Sequence, residues 1–344
     1  MGGGLFFKDI QRKSIYIVFF SIWKNRLRGT NSMNLAHLYY FKKLVEVKNY
    51  SRAAEALFIA QPTLSLAVSS LERELGCALF KKKRNSLELT ENGEDFYDAV
   101  VTATNSLDNA VRIIKERVSA EYGSITVGTV YSIQDKVWSE AIHSYHCSTR
   151  SRVQINWKQG TTESLIKDLK KGSLDVIMAG ILNKNDADIE SIPATSQGVV
   201  LLVNQKNPLS SKEEVSLDEL AGNPIVTYRN KKGPFALEIS NLLAKHQNLS
   251  VAYDYNDEIT LASLVTADPH VLAIACHSWL IGAFTEVVPV KIKEAPENFH
   301  QFYISYRKHG RLPFVVEEFV EFMKKFDFQS TSQFDDEHSV VKGV

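Results

Sequence analysis

The chain has 344 residues, with 40 Lys+Arg against 40 Asp+Glu and 44% hydrophobic residues. These are the proportions of a globular protein, not of a disordered, collagen-like or multi-span membrane chain. The length allows two domains with cores of their own, and three separated cysteines, Cys77, Cys147 and Cys276, exclude a disulfide framework or thiolate zinc cage and fit a reducing compartment. A net charge of zero speaks against nucleic-acid binding, whose usual mark is a basic excess, unless local balances cancel along the chain.

Residues 1–32 read unlike the rest. They carry six basic residues against one acid, around an apolar run from Ile15 to Trp23. That run is too short to span a bilayer, and Lys24, Asn25 and Arg26 follow it where a signal peptide would place small residues. The expectation is a dispensable extension ahead of a start at Met33, with no membrane partner.

From Asn34 the pattern is helical. Leu35, Leu38, Phe41, Leu44 and Val45 share one face to about Val47. Ser51 is the expected N-cap of a second helix, Arg52 to Phe58, kept slim by Ala53, Ala54 and Ala56. A three-residue turn, Ile59-Ala60-Gln61, leads to Pro62, the expected first position of a third helix that runs to Leu75 and ends at Gly76. Two short helices joined by a tight turn form a helix-turn-helix. Leu79 to Leu89 then reads as a hairpin turning at Asn85-Ser86, with Lys81, Lys82, Lys83 and Arg84 on its first arm. A basic hairpin in this place is the wing of a winged helix.

At about 100° per residue, Leu64, Val68, Leu71 and Leu75 fall on one narrow stripe of the third helix, while Leu66, Ser69, Ser70 and Arg73 face the other way. In a winged helix the outer face enters the major groove. The expected reading set is therefore Gln61, Pro62, Thr63, Ser65, Leu66 and Ser69, with Gln suited to adenine and hydroxyls to bases or phosphates. Arg52, Arg73, Lys82, Lys83 and Arg84 are expected to hold phosphates. Thr90 caps a long helix to about Val118, in which Phe96, Val100, Ala103, Leu107, Ala110 and Ile114 alternate steps of four and three, as in a coiled-coil seam.

The string Asn49 to Phe80, NYSRAAEALFIAQPTLSLAVSSLERELGCALF, resembles the signature of the LysR-type transcriptional regulators. Ala53-Ala54, Leu57, Gln61-Pro62, Leu64-Ser65, Leu71-Glu72, Leu75-Gly76 and Leu79-Phe80 are the matching anchors, and Leu89 to Gly93 fits the start of that family's linker helix. The likeness extends through Gly128, Gly160-Thr161-Thr162 and Gly172-Ser173-Leu174-Asp175. It implies an N-terminal winged helix-turn-helix over 33–92, a linker helix for dimerisation over 93–120, and an α/β effector domain over 124–326. That domain would resemble the two-lobed periplasmic solute-binding proteins and be followed by a polar tail, 327–344. The implied function is sequence-specific control of transcription by a cytoplasmic homodimer or homotetramer. Its partners would be operator DNA, a small-molecule effector and RNA polymerase. Two departures stand out. Leu66 and Ala67 replace polar or basic residues, and outward-pointing Leu66 suits a thymine methyl. Ala267-Asp268-Pro269-His270 replaces a glycine-rich turn, which is expected to alter the edge of the effector pocket.

Beyond Gly123, strands alternate with helices. Ile125–Val130, Val153–Trp157 and Leu174–Ala179 read as strands, with helices at Gln134–His146 and Glu163–Lys171, as in a largely parallel sheet. Further strands are expected at Val199–Asn204, Pro224–Tyr228, Val271–Cys276 and Gln301–Arg307. Helices are expected at Phe235–His246, Ile259–Ala267 and Pro313–Phe326. The halves, about 124–195 and 197–290, suggest two lobes. Ligands of such sheets sit beyond strand carboxyl ends. This points to Tyr131, Ser132, Thr161, Thr162, Thr227 and Arg229 around an anionic effector, although Ser132 and Thr161 would equally serve as helix caps. The helix-face trio His143, His146 and Cys147 has a metal-compatible spacing but lacks a fourth ligand. Neither metal, cofactor nor catalytic residue is expected. An enzyme or solute-binding protein with a helical appendage, and an architectural DNA-binding protein, remain as other readings.

The zero net charge is a sum of unlike parts. Residues 33–92 carry nine basic residues against six acids, residues 1–32 add +5, and residues 93–344 total −8. Part of the basic excess lies in residues 1–32, and within residues 33–92 four of the nine basic residues form the wing.

Overall fold

The structure, a computed structural model, describes residues 33–83, 86–119, 123–149, 152–229, 233–246, 248–255 and 257–328. The expectations for residues 1–32, for Arg84 and Asn85, and for the tail beyond Phe328 lie outside this set. The chain divides into two compact units between Thr104 and Asn105.

In the first unit, Asn34 accepts from the Ala36 amide and opens helix α1, Leu35–Val47. Helix α2, Tyr50–Ala56, is capped by Asn49, whose side chain accepts from the Arg52 amide at 3.0 Å. This corrects the expected cap at Ser51. Asn49 has the extended backbone that an N-cap needs, whereas Ser51 already lies inside the helix. Asn49→Ala is expected to destabilise the unit by about 1 kcal/mol, read as a lower denaturation midpoint at unchanged m-value; an unmoved midpoint would show that the cap carries no weight. Helix α3, Gln61–Leu75, holds Pro62 in its first turn, where the missing N–H leaves no helical bond unmade. Gly76 closes it at φ 71°, in the left-handed region that glycine occupies without strain.

The three helices meet through small and aromatic residues. Leu44, Ala53, Ala54, Leu64 and Val68 form one buried cluster, and Phe41, Leu71, Leu79 and Val100 form a second. Strands β1 (Phe80–Lys83) and β2 (Ser86–Leu89) pair antiparallel as the wing, with Phe80 opposite Leu89. Glu72 on α3 accepts from the Leu79 amide at 2.8 Å and so ties the wing's entry to that helix. Thr90 donates to the Ala78 carbonyl and accepts from the Gly93 amide. It thereby starts α4, Glu91–Ser119. Gly93 is required here, because a Cβ would stand 2.1 Å from the Leu79 carbonyl oxygen.

The second unit contains two sheets. Strands β3 (Ser124–Thr129), β4 (Gln154–Gln159), β5 (Val176–Ala179), β6 (Ile189–Gln197) and β13 (His300–Arg307) form the first lobe's sheet, in the order β4-β3-β5-β13-β6. Helices α5 (Lys136–Ser148), α6 (Thr162–Lys170) and α9 (Phe314–Lys325) cover it. Residues alternate between its faces: Val176 and Met178 join the cluster of Trp138, Tyr145 and Phe319, while Ile177 and Ala179 join Leu165 and Leu169. Phe328 is buried in the former cluster, so the start of the expected polar tail belongs to the core.

The second lobe's sheet has the order β10-β9-β11-β7-β12-β8. Its strands are β7 (Val199–Asn204), β8 (Glu214–Val215), β9 (Pro224–Tyr228), β10 (Ser250–Tyr255), β11 (Leu272–Cys276) and β12 (Val287–Ile292). Helices α7 (Pro234–Leu243) and α8 (Glu258–Ala267) accompany it.

Neither sheet is as parallel as the sequence suggests. Strand β13 runs antiparallel to β5 and β6, and β7 runs antiparallel to β11 and β12. The cause is that the chain crosses between lobes twice, from β6 through Gly198 to β7 and from β12 back to β13. A strand arriving from the other lobe needs no right-handed crossover helix, so it can enter in the opposite sense.

Candidate functional sites

The α3 helix buries Leu64, Ala67, Val68 and Leu71, while Gln61, Pro62, Thr63, Leu66, Ser69 and Arg73 are exposed and Ser65 is half-buried. Of the two expected departures on this helix, Ala67 is therefore a core residue and only Leu66, 69% exposed, lies on the outer face. Arg52 is exposed at the start of α2. Lys83 stands out from the wing and lies 3.6 Å from Glu88 on the opposite strand. The Lys82 side chain and all of Arg84 lie outside the described residues. In the turn before α3, Phe58 is 97% exposed at φ 55°. This corrects the expected helix end at Phe58: helix α2 stops at Ala56, and the left-handed backbone of Phe58 takes its side chain off the helical faces.

Along α4 the expected seam divides. Val100 is 3% exposed in the first unit's core and Phe96 packs against it. These two are corrected to core residues, because the helix start lies on α1 and the wing. Ala103, Leu107, Ala110 and Ile114 are exposed, with Val111 and Val118 beside them at 50% and 81%. The polar residues between them do specific work within the second unit. Arg112 grips Asp175, its two terminal nitrogens 2.9 and 2.5 Å from the two carboxylate oxygens, and also donates to the Ser124 carbonyl. Asp175, 4% exposed, accepts from the Thr126 amide as well. Asn105 donates to the Lys171 carbonyl and to Ser173, and Glu116 accepts from the Phe314 amide. The Gly172-to-Asp175 stretch is thus the socket into which the helix is fastened.

The carboxyl ends of β9 and β11 lie together, since the two strands are parallel. Here the lobes touch. Gln197, at the end of β6, donates to the Ser132 carbonyl at 2.9 Å and accepts from the Cys276 thiol at 2.9 Å. The Cys276 amide donates to the Tyr228 hydroxyl, which in turn donates to Glu258 at 2.6 Å. Nearby, His300 Nδ1 of the first lobe lies 2.6 Å from Glu238 of α7. Phe235 packs edge-on against the His300 ring. Gly180 admits this contact, because a Cβ would come within 2.9 Å of Pro234 and 3.1 Å of His300. The Ser278 hydroxyl is buried and has no hydrogen-bond partner among the described residues.

The expected ligand residues divide across this region. Tyr131 is half exposed and Ser132 half buried on a 3₁₀ turn, Tyr131–Ile133, and Ser132 caps no helix. The cap of α5 is Asp135, which accepts from the Trp138 amide. Thr161 is the exposed N-cap of α6, accepting from the Ser164 amide, and Thr162 beside it is buried. Thr227 is corrected: it is 1% exposed and donates its hydroxyl to the Ile274 carbonyl. Its one hydroxyl proton is thus committed to a neighbouring backbone carbonyl in the interior, which leaves no exposed donor for a ligand. Arg229 is exposed, its amide donating to the Tyr255 carbonyl. The turn Ala267-Asp268-Pro269-His270 precedes β11, at the end opposite Cys276. Its departure from the family pattern therefore lies away from the meeting of the lobes, which corrects the expected change at the pocket's edge. His143 and Cys147 stand 3.6 Å apart on exposed helix surface. Among the described residues, no three His, Cys, Asp or Glu side chains converge as a metal site.

Sequence reasoning missed Gln197, Glu238 and His300 because they reach partners in the other lobe only through the double crossing, and Tyr228 and Glu258 because their bond joins a strand to a helix 30 residues away within the second lobe. Burial raises the pKa of Glu258 and pushes the Cys276 thiol well up. A carboxyl with a raised folded-state pKa costs stability as pH rises above its unfolded value. Glu258→Gln keeps an acceptor for Tyr228 and removes that charge. Its Tm advantage over the native chain is expected to widen from about pH 4 to about pH 7; a flat difference would contradict the sign.

A winged helix-turn-helix joined by a helix to a two-lobed α/β unit defines a one-component regulator. The family model described as bacterial regulatory helix-turn-helix protein, lysR family, matches residues 35–94, and that of the LysR substrate binding domain matches residues 119–327. The chain belongs to the LysR family and is a DNA-binding transcriptional regulator with an effector-binding domain. It is 32% identical to the HTH-type transcriptional regulator CatR of Pseudomonas putida, over 68% of this chain and 79% of that protein. It is 29% identical to the HTH-type transcriptional regulator AlsR of Bacillus subtilis (strain 168), over 59% of this chain and 66% of AlsR. In fold it is similar to the LysR family transcriptional regulator CbnR, with a TM-score of 0.65, 17% identity and coverage of 86% of this chain and 99% of CbnR. Among the described residues, no single helix is long and apolar enough to cross a membrane.

Proposed function

We propose that the outer face of α3, from Gln61 to Arg73, reads operator DNA in the major groove, while Arg52 and the wing's Lys82, Lys83 and Arg84 hold phosphates. Helix α4 pairs two copies through Ala103, Leu107, Ala110 and Ile114, forming a homodimer or a tetramer of such pairs. A small molecule binds where the lobes meet, near Ser132, Thr161 and Thr162, and the N–H groups opening α6 favour an anion. Its differential affinity for two arrangements of the pair alters how the heads meet DNA, and through that the recruitment of RNA polymerase in the cytoplasm.

The observation that carries this reading is the division of α3 into a buried inner stripe and an exposed hydroxyl-rich outer face. Genome-wide mapping of the full chain's binding sites tests it. A small set of sites sharing an imperfect inverted repeat is expected, with half-sites about one helical turn apart. Uniform, sequence-independent occupancy would favour an architectural role. A thermal-shift screen of carboxylates and phosphates tests the effector: a saturable rise in Tm is expected, and a hit among uncharged compounds alone would overturn the anionic assignment.

A further inference from the structure

Leu66 is the one large apolar side chain exposed on α3 among the described residues. The helix does not need it for packing, because Leu64, Ala67, Val68 and Leu71 already fill the inner stripe. Nor do its neighbours cover it. Pro62, Thr63, Ser69 and Ser70, its neighbours three and four residues away on the helix, are all shorter. Among such neighbours the leucine projects furthest from the helix, and their short side chains let the backbone come near a groove floor.

In the major groove, the apolar feature that distinguishes one base pair from another is the 5-methyl group of thymine. A leucine in that groove gains nothing from guanine N7 and O6 or from adenine N7 and N6, and it leaves those polar edges without a partner. We infer that Leu66 is a specificity-determining residue that packs against a thymine 5-methyl group, so that each half-site of the operator carries an obligatory thymine beneath it. This rests on the reading of α3 as the DNA-facing helix.

The test begins with duplexes selected from a random double-stranded pool by the full-length chain. Each thymine of the selected half-site is then replaced, one at a time, by deoxyuridine, which removes the methyl group and nothing else. At one symmetry-related pair of positions the native chain is expected to bind about fourfold more weakly per methyl lost. Leu66→Ala should bind the thymine and uracil duplexes equally there, and Leu66→Met should retain the preference. Because Leu66 is exposed, unchanged thermal melts of both variants are expected to exclude a folding defect. If no thymine-to-uracil change weakens binding, or if the sensitivity survives in Leu66→Ala, the inference is overturned while the DNA-facing assignment stands. A pool from which no duplex is enriched overturns that assignment and the inference with it.

Discussion

Replacing Arg112 by Met is expected to destabilise the second unit by about 3 kcal/mol, a fall in Tm of roughly 10 °C for a unit of this size. The guanidinium satisfies both oxygens of Asp175 and a backbone carbonyl besides. Asp175 is buried, so losing its cation leaves a carboxylate with the Thr126 amide as its hydrogen-bond donor and the nearby Arg307 as a more distant positive charge. Most of the cost is this stranded charge rather than the value of the pair itself. Asp175→Asn on the Arg112→Met background should therefore recover part of the loss, because the carboxamide needs no counter-charge. Differential scanning calorimetry of the single and double variants checks the argument. A Tm within 2 °C of the native value for Arg112→Met would show that the clamp is solvated, and an additive double variant would show that the two residues act apart. The functional consequence follows from position. Asn105, Arg112 and Glu116 all hold the same helix that carries the exposed apolar stripe, and so fix that stripe to the second unit.

At the DNA-facing end, Gln61→Ala is expected to weaken operator binding about 10- to 100-fold and to relax discrimination at one base pair. A bidentate side-chain pair with a base edge contributes about 1–3 kcal/mol. Gln61 is exposed at the first residue of α3, the end that meets base edges if α3 lies in the groove as proposed. The slope of log K against log salt should stay unchanged, because no phosphate contact is lost. Arg73→Ala, by contrast, should weaken all duplexes alike and reduce that slope by about one. Fluorescence anisotropy at several salt concentrations separates these cases. A changed slope in Gln61→Ala would reassign it from a base to a phosphate.

The head was largely legible in the sequence because its signals are local. Gly76, the Leu64-to-Leu71 stripe and the wing's alternation each act within a few residues and occur where expected, and Pro62 lies one residue inside its helix, which begins at Gln61. Local signals failed where two rules compete. Asn49 and Ser51 are both good caps, and only backbone direction decides between them. A four-three repeat does not say what covers it, so Val100 and Leu107 share one pattern but differ in burial. In the second unit, βαβ spacing identified the central strands but not the return of β13 to the first lobe. The meeting of His300 with Glu238 depends on that return, and that of Gln197 with Cys276 on the crossing from β6 to β7, whose Val199 pairs with Cys276. Such contacts span 60 or more residues of chain and leave no periodicity to read.

Mobility of the DNA upstream of this protein's own coding region, in the presence of the full-length chain and excess unrelated duplex, tests the central claim most directly. The expected result is a shifted band that survives the competitor, weakens steeply with salt, and is weakened when Gln61 is replaced by Ala. A band abolished by competitor, or one indifferent to Gln61, would contradict the assignment of α3 as the reading helix.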